Sequence, residues 1–226
     1  MERREDNTMN ERKKNIILLI VICIAITSAA IFVIMGPMAN ANVYHQEYVV
    51  NNEHDDARTF TAQNSQTGYG NEDGKWTNLQ LSPSYSFGVR FTNISIPRYA
   101  TIKNAYIQLY SIGTTAHRHP MCRIYCDDVG NAVNFSTIGV LNICGRIYTT
   151  NYSKWNETLP YGVWVSTPSL VAPLQELINE HNWTQGNALA FLFISDGTLD
   201  CAATFQNYEN EKPAKLYVEW KENALQ

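Results

Sequence analysis

Residues 102–111 read IKNAYIQLYS, and this stretch decides the fold class because apolar and polar side chains alternate along it. Ala105, Ile107 and Leu109 occupy every second position. Successive side chains of a β-strand point to opposite faces of the sheet, so one of the two sets faces a core. The pattern predicts a β-strand that is buried on one face.

Short apolar segments separated by turn residues continue on both sides of this strand, as is typical of all-β domains. Residues 188–194 (ALAFLFI) are almost entirely apolar, which predicts a central strand buried on both faces. Further strands are predicted at residues 58–62, 76–81, 87–92, 122–126, 143–149, 162–165, 202–208 and 215–220.

One helix is predicted at residues 171–181, where Leu174, Leu177 and Ile178 recur at helical spacing. Strands and helix together predict an all-β fold over residues 56–221, a two-sheet β-sandwich with this helix capping one end. Residues 36–55 are interpreted as a linker or a first edge strand.

A segment of a different kind precedes this domain. Residues 16–35 (IILLIVICIAITSAAIFVIM) carry no charge and would span about 30 Å as a helix, the thickness of a bilayer core. Lys13 and Lys14 directly before it predict a cytoplasmic tail at residues 1–15. The segment is interpreted as a retained signal anchor, which its length favours, or as a signal peptide cleaved after Ala41.

The first interpretation predicts a single-pass protein of the cell membrane with its C-terminal domain extracellular, and the second predicts a secreted protein. The lipid bilayer is a predicted partner in the first case only. The hydrophobic share of 45% excludes disorder throughout, and the net charge of −4 argues against nucleic acid as a partner.

Four cysteines fall in the exported part, and an oxidising exterior predicts two disulfides among them. Cys122 and Cys126 lie about 13 Å apart along a strand, too far for a mutual bond. Pairing Cys126 with Cys144 and Cys122 with Cys201 is preferred because the first bond closes a short loop. Free buried thiols remain the alternative.

Histidines near these cysteines invite a zinc interpretation. His117 and His119 precede Cys122, and zinc prefers histidine and cysteine ligands. The spacing matches no standard zinc finger, so an exposed loop carrying two histidines is favoured.

Asn-x-Ser/Thr sequons also fit an exported domain, where they should lie on the surface. Asn93 is the weakest candidate, because it lies between apolar residues near a strand end. The predicted glycosylation sites are Asn134, Asn151, Asn156 and Asn182.

Two acidic doublets are candidate ligands for a structural calcium ion, which prefers oxygen ligands. They are Asp55 with Asp56 and Asp127 with Asp128. No calcium-loop motif is present, and plain turn chemistry is the alternative. No other cofactor is predicted.

Aromatic side chains crowd one polar stretch and form a candidate glycan-binding platform, because sugar C–H faces stack on exposed rings. The candidates are Tyr148, Tyr152, Trp155 and Tyr161, whereas Trp164 is placed on a core strand. Packing inside the sandwich is the alternative role for these rings.

Three stretches form an ordered series of motifs: FGVRFTNISIP at residues 87–97, ATIKNAYIQL at residues 100–109, and the helix region leading into NAL at residues 187–189. Together they resemble a β-sandwich family of secreted and cell-surface bacterial and archaeal proteins. The resemblance covers about residues 54–220, although Tyr99 stands where the family usually has glycine. The resemblance implies a jelly-roll-like fold akin to carbohydrate-binding modules, and it implies no catalytic residue.

Three functions remain open. The first is a membrane-anchored, non-catalytic domain used for adhesion, glycan binding or envelope structure. The second is a subunit that assembles with neighbouring copies when residues 42–50 add to another sheet edge. The third is a polysaccharide-active enzyme, which is disfavoured because the common catalytic motifs are missing from the sequence.

Overall fold

Two antiparallel β-sheets and one α-helix make up the part of the chain that the computed structural model describes. This part comprises residues 42–60, 67–69, 78–113, 119–136, 143–180 and 182–223, all within one compact unit of residues 41–226. The helix is α1 (Val171–Asn179). The strands are β1 (Val43–Val49), β2 (Asp56–Phe60), β3 (Thr67–Tyr69), β4 (Leu79–Leu81), β5 (Tyr85–Phe91), β6 (Thr101–Ser111), β7 (Cys122–Cys126), β8 (Ser153–Trp155), β9 (Val163–Ser166), β10 (Leu189–Ser195), β11 (Ala203–Phe205) and β12 (Lys215–Lys221).

The strands divide into two sheets of six. The first sheet has the order β1-β12-β6-β11-β4, and β9 also pairs with β6. The second sheet has the order β3-β2-β5-β10-β7-β8. All of these pairings are antiparallel, so the mostly β, two-sheet prediction is confirmed.

Aromatic side chains join the two sheets through a shared core. Phe87 of β5 lies 4.2 Å from Phe193 of β10 and 5.7 Å from Phe205 of β11, measured between ring centroids. Trp155 of β8 stacks on Phe205 at 5.6 Å. Rings from the second sheet therefore contact a ring of the first, which places the main core between the sheets.

The central strand β10 is buried on both faces, as its apolar sequence predicts. Phe191 and Phe193 face the main core, whereas Leu192 belongs to a smaller apolar cluster on the outer face of the second sheet. Phe135 covers this outer face closely. A Cβ atom added to Gly88 would lie 2.7 Å from the Phe135 ring, so only glycine fits there.

Helix α1 buries the apolar face that its spacing predicts. Leu174, Leu177 and Ile178 are fully buried. Gln175 fixes the helix to β6 by accepting a hydrogen bond from the Ile102 N–H at 2.8 Å. The helix packs against β6 of the first sheet and β7 of the second, so it covers the sandwich where the two sheets meet.

Some predicted strands differ from the observed elements. Residues 143–149 form no strand: Ile143–Gly145 is a short 3₁₀ helix, and Tyr148 makes one isolated bridge to Asp127. No strand is predicted at residues 153–155, yet this stretch forms β8 and pairs with β7 as an edge strand. Pairing across the sheet outweighs the weak local preference there.

The predicted cytoplasmic tail at residues 1–15 and the predicted membrane segment at residues 16–35 lie outside the described residues. Within the described residues no helix is long and apolar enough to cross a membrane. The possible first edge strand is present as β1, which pairs with β12 along its whole length, from Val43 opposite Lys221 to Val49 opposite Lys215.

Candidate functional site

Four aromatic side chains line the outer face of the first sheet and form the aromatic row: Tyr106, Tyr110, Trp164 and Tyr217. Tyr106 stacks on Tyr217, its partner across the β6–β12 ladder, with ring centroids 5.1 Å apart. Tyr110 meets Trp164, its partner across the β6–β9 ladder, edge-on at 5.6 Å. Trp164 is 36% exposed, and the three tyrosines are partly exposed.

The alternation in β6 places these rings outside. Ala105, Ile107 and Leu109 are fully buried in the main core, so the residues between them point away from it. In β9, Val165 is buried, so its neighbour Trp164 points to the outer face. One period-2 pattern therefore builds the core on one face and the aromatic row on the other.

Polar and cationic groups lie among these rings. The Lys215 ammonium is 5.1 Å from the centroid of the Trp164 ring, and the Lys212 ammonium is 4.5 Å from that of Tyr110. Gln108 lies between the two aromatic pairs along β6 and is the ladder partner of both Lys215 and Ser166. The surface combines rings for stacking with groups for hydrogen bonding.

Sequence reasoning missed most of this row. It left Tyr106, Tyr110 and Tyr217 without a role and placed Trp164 on a core strand, which is wrong because Trp164 faces solvent. The alternation in β6 could have predicted that Tyr106 and Tyr110 lie on the outer face, because Ala105, Ile107 and Leu109 occupy the positions that face the core. That these tyrosines meet rings from β9 and β12 depends on pairings between distant segments.

A second group of rings, the tyrosine cluster, lies on the second sheet and its flanking loops. Tyr125 of β7 stands between Tyr148 at 5.0 Å and Tyr152 at 5.2 Å. The guanidinium of Arg123 lies 5.3 Å from the Tyr152 ring. Tyr148 donates a hydrogen bond to the Ile143 carbonyl at 3.2 Å, and burial raises the pKa of its hydroxyl. The cluster brings together two of the four predicted platform residues.

The other two predicted platform residues lie elsewhere. Trp155 is fully buried against Phe205, so its ring has no face for a ligand, and the predicted binding role is corrected to core packing. Tyr161 is 59% exposed, but it precedes Gly162, whose carbonyl accepts the Tyr110 hydroxyl at 2.7 Å. Tyr161 therefore adjoins the aromatic row rather than the tyrosine cluster.

Two of the predicted calcium ligands are held in ion pairs with arginines. Asp55 Oδ1 accepts from Arg90 at 2.5 Å, and Asp127 Oδ2 accepts from Arg146 at 2.6 Å. The same arginines also donate to backbone carbonyls of residues 132 and 133. Burial is the largest influence on Asp127 and raises its pKa, whereas Arg146 acts in the opposite direction. These pairs fix the loop that covers the outer face of the second sheet.

The remaining two aspartates differ from each other. Asp56 is fully buried, and burial raises its pKa to about 8. Asp128 is half-buried, and its pKa is raised. Desolvation is the largest cause, and repulsion from Glu180 and Glu176 comes next. No three His, Cys, Asp or Glu side chains form a metal-binding group within the described residues, so the four predicted aspartates are not gathered into one site.

The four cysteines expected to pair all lie in the described residues, and each is a free thiol, so the two predicted disulfides are corrected. Cys126 faces the main core from β7. Cys144 hydrogen-bonds the side chain of Ser86. Phe87, the next residue on β5, faces the main core, so the Ser86 side chain points to the other face of the second sheet. The sheet therefore separates the two thiols expected to pair.

The second expected pair, Cys122 with Cys201, consists of two buried thiols in the main core. Cys201 donates to the Pro120 carbonyl at 3.5 Å and accepts from the Ser195 hydroxyl at 3.4 Å. Burial raises the pKa of both thiols, and Cys201 raises that of Cys122 further. Both thiols are therefore kept in the protonated form.

The histidine and sequon predictions have mixed outcomes. His119 forms a bridge with Ala202 and lies 3.3 Å from the Thr158 hydroxyl, whereas His117 lies outside the described residues. The predicted glycosylation positions Asn151, Asn156 and Asn182 are exposed. Asn134 is half-buried, and its Oδ1 accepts from Ser136 at 2.8 Å.

Comparison with known proteins does not assign the chain to a family. No protein-family model matches it, and a search of curated proteins gives no match.

Proposed function

We propose that this protein is an exported, membrane-anchored β-sandwich that binds glycans without catalysis, and that the aromatic row is its binding surface. The observation that carries the proposal is the pairing of partly exposed rings on one sheet face, Tyr106 with Tyr217 and Tyr110 with Trp164. Apolar groups gathered on one exposed face, rather than scattered singly, are typical of an interaction surface.

The spacing of the rings suits an extended ligand. Tyr106 and Tyr110 are four residues apart on one strand, a separation of about 13 Å. A chain of sugars laid along β6 would stack on both aromatic pairs and pass over Gln108 between them. Lys212 and Lys215 would donate hydrogen bonds to hydroxyl or other oxygen atoms of the sugars.

The strand order supports the jelly-roll interpretation of the fold. The order β1-β12-β6-β9 in one sheet and β5-β10-β7-β8 in the other follows two antiparallel Greek keys. Lectin domains, which bind sugars, are among the proteins with this fold. The membrane anchor at residues 16–35 would hold that face outside the cell.

A retention assay tests the proposal. The full-length chain in detergent would be passed over a panel of immobilised polysaccharides, alongside a Tyr106→Ala/Trp164→Ala variant and a Tyr152→Ala control from the tyrosine cluster. We expect at least one polysaccharide to retain the wild type and the control but not the double variant. Absence of retention on every polysaccharide contradicts the proposal, and release of new sugar ends from any of them favours the enzyme hypothesis instead.

Strand exchange between copies is a second candidate, favoured by the position of β1 at the sheet edge. In β1 only Tyr48 is buried, so the strand is held mainly by its ladder with β12. The same ladder formed between two molecules would join them. A chain lacking residues 42–50 should then bind a synthetic peptide of that sequence, and light scattering should show higher oligomers of the intact chain.

A further inference from the structure

Two carboxylates from different sheets meet beside one backbone hydrogen bond. Asp56 begins β2 in the second sheet, and its Oδ2 accepts from the Tyr208 N–H at 2.9 Å. Tyr208 opens a 3₁₀ turn, Tyr208–Asn210, that connects β11 to β12 of the first sheet. Glu209 follows Tyr208 directly, and its carboxylate lies close enough to Asp56 for their repulsion to raise the pKa of Asp56.

Each of these carboxylates has one oxygen without a hydrogen-bond partner. Asp56 is fully buried, and its Oδ1 has no donor. Oε1 of Glu209 is likewise buried without a donor, while its Oε2 accepts from the Asn207 side chain. A buried acceptor without a partner loses the solvation it has in water, so these two oxygens require an explanation.

The surrounding charges do not neutralise the pair. Asp55 adds negative charge near Asp56, and the arginine beside it, Arg90, is engaged by Asp55 itself. Glu53 raises the pKa of Glu209 by repulsion, and His54 acts in the opposite direction. Burial is the largest cause of a raised pKa at both carboxylates, and each repulsive neighbour adds to it.

We propose that a divalent cation with the ligand preference of calcium bridges Asp56 and Glu209. Calcium takes oxygen ligands and fills its remaining positions with backbone carbonyls or water. One ion would occupy both unpartnered oxygens and join β2 of one sheet to the β11–β12 connection of the other. Because only two carboxylates contribute, the affinity falls in the range of about 10⁻⁴ to 10⁻³ M found for extracellular calcium modules.

This site differs from the calcium site expected from the sequence. It keeps Asp56 but replaces Asp55, Asp127 and Asp128 with Glu209, a residue 153 positions away in the chain. It also does not depend on glycan binding by the aromatic row. The competing account is that Asp56 keeps a proton and donates it to Glu209, which would satisfy the same two oxygens without an ion.

A thermal-shift experiment separates the two accounts. The full-length chain in detergent, freed of metal with a chelator and dialysed, would be heated with and without 5 mM calcium, as would Glu209→Gln and the control Glu211→Gln. Glu211 is an exposed carboxylate two residues away. We expect calcium to raise the midpoint of the wild type and the control by about 3 °C and to leave Glu209→Gln unchanged.

Terbium luminescence provides a readout that does not depend on the stability of a variant. Tyr208 is 38% exposed and lies next to the site, so its excitation should sensitise a bound terbium ion, and calcium should displace that ion. Tyr208→Leu should abolish the luminescence but keep the calcium-induced thermal shift. An absence of both effects in the wild type, or their persistence in Glu209→Gln, overturns the cation site and leaves the shared proton.

Discussion

Tyr110 of β6 meets Trp164 of β9 edge-on, with an angle of 80° between the ring planes, on the outer face of the first sheet. Lysines approach both rings, Lys212 that of Tyr110 and Lys215 that of Trp164. Edge-to-face aromatic contacts and cation–π contacts hold rings in fixed orientations. The aromatic row is therefore ordered without a ligand, which would reduce the entropy lost if it binds a glycan as proposed.

Replacement of Trp155 by alanine should destabilise the domain. The ring is fully buried between Phe193 and Phe205, so the variant loses apolar burial and leaves a cavity. We expect the free energy of unfolding to fall by about 3–5 kcal/mol, measured by chemical denaturation followed by circular dichroism. Trp164→Ala is the control, and an equal loss in both variants would contradict the core position of Trp155.

The buried ion pair between Asp127 and Arg146 offers a second test. The Arg146 side chain is fully buried, and Asp127→Asn would leave its charge without a counterion. Breaking such a pair from one side costs about 3–5 kcal/mol of stability. Denaturation of Asp127→Asn should show a loss of this order, whereas the exposed Asp200→Asn should change stability by less than about 0.5 kcal/mol.

Asp56 predicts how stability depends on pH when divalent ions are removed. Its pKa in the folded protein is about 8, against an ordinary value of 3.8, so between these values the folded state holds a proton that the unfolded state has released. The free energy of unfolding should therefore fall as pH rises through this window, by up to about 1.4 kcal/mol per pH unit.

Denaturation midpoints at pH 5, 6, 7 and 8 in the presence of a chelator measure this dependence. Comparison with Asp56→Asn isolates the contribution of the one carboxyl, because asparagine does not titrate. The wild type should show the steeper fall in stability. Equal slopes in the two proteins would mean that Asp56 is ionised in the folded state at these pH values.

The cysteine assignment predicts an order of thiol reactivity. Cys122, Cys126 and Cys201 are buried with raised pKa values, whereas Cys144 is half-exposed. A maleimide reagent should label Cys144 in the native protein and the three others only after unfolding. Peptide mass mapping checks this order, and a disulfide-linked peptide pair would contradict the free-thiol state.

Periodicity in the sequence predicted the parts of the fold that depend on local patterns. The alternation in β6, the apolar run of β10 and the helical spacing in α1 each appear as expected. In these segments burial follows directly from side-chain spacing, so a single stretch contains enough information.

Features that depend on contacts between distant segments could not be predicted in this way. The partners of Tyr106 and Tyr110 come from β12 and β9, and the partner of Asp56 comes from the β11–β12 connection. The faces of the second sheet separate Cys126 from Cys144 although they are close in sequence. Strand pairing decides all of these relationships, and it is a property of the whole sandwich.

The affinity of single aromatic-row variants for a retained polysaccharide tests the central claim most directly. Calorimetric titration of the wild type, Trp164→Ala and Tyr152→Ala with a soluble fragment of that polysaccharide would measure it. We predict that Trp164→Ala binds at least about tenfold more weakly, equivalent to about 1.4 kcal/mol, while Tyr152→Ala binds like the wild type. Unchanged affinity in Trp164→Ala, or loss of binding in Tyr152→Ala alone, would contradict the assignment of the aromatic row as the glycan site.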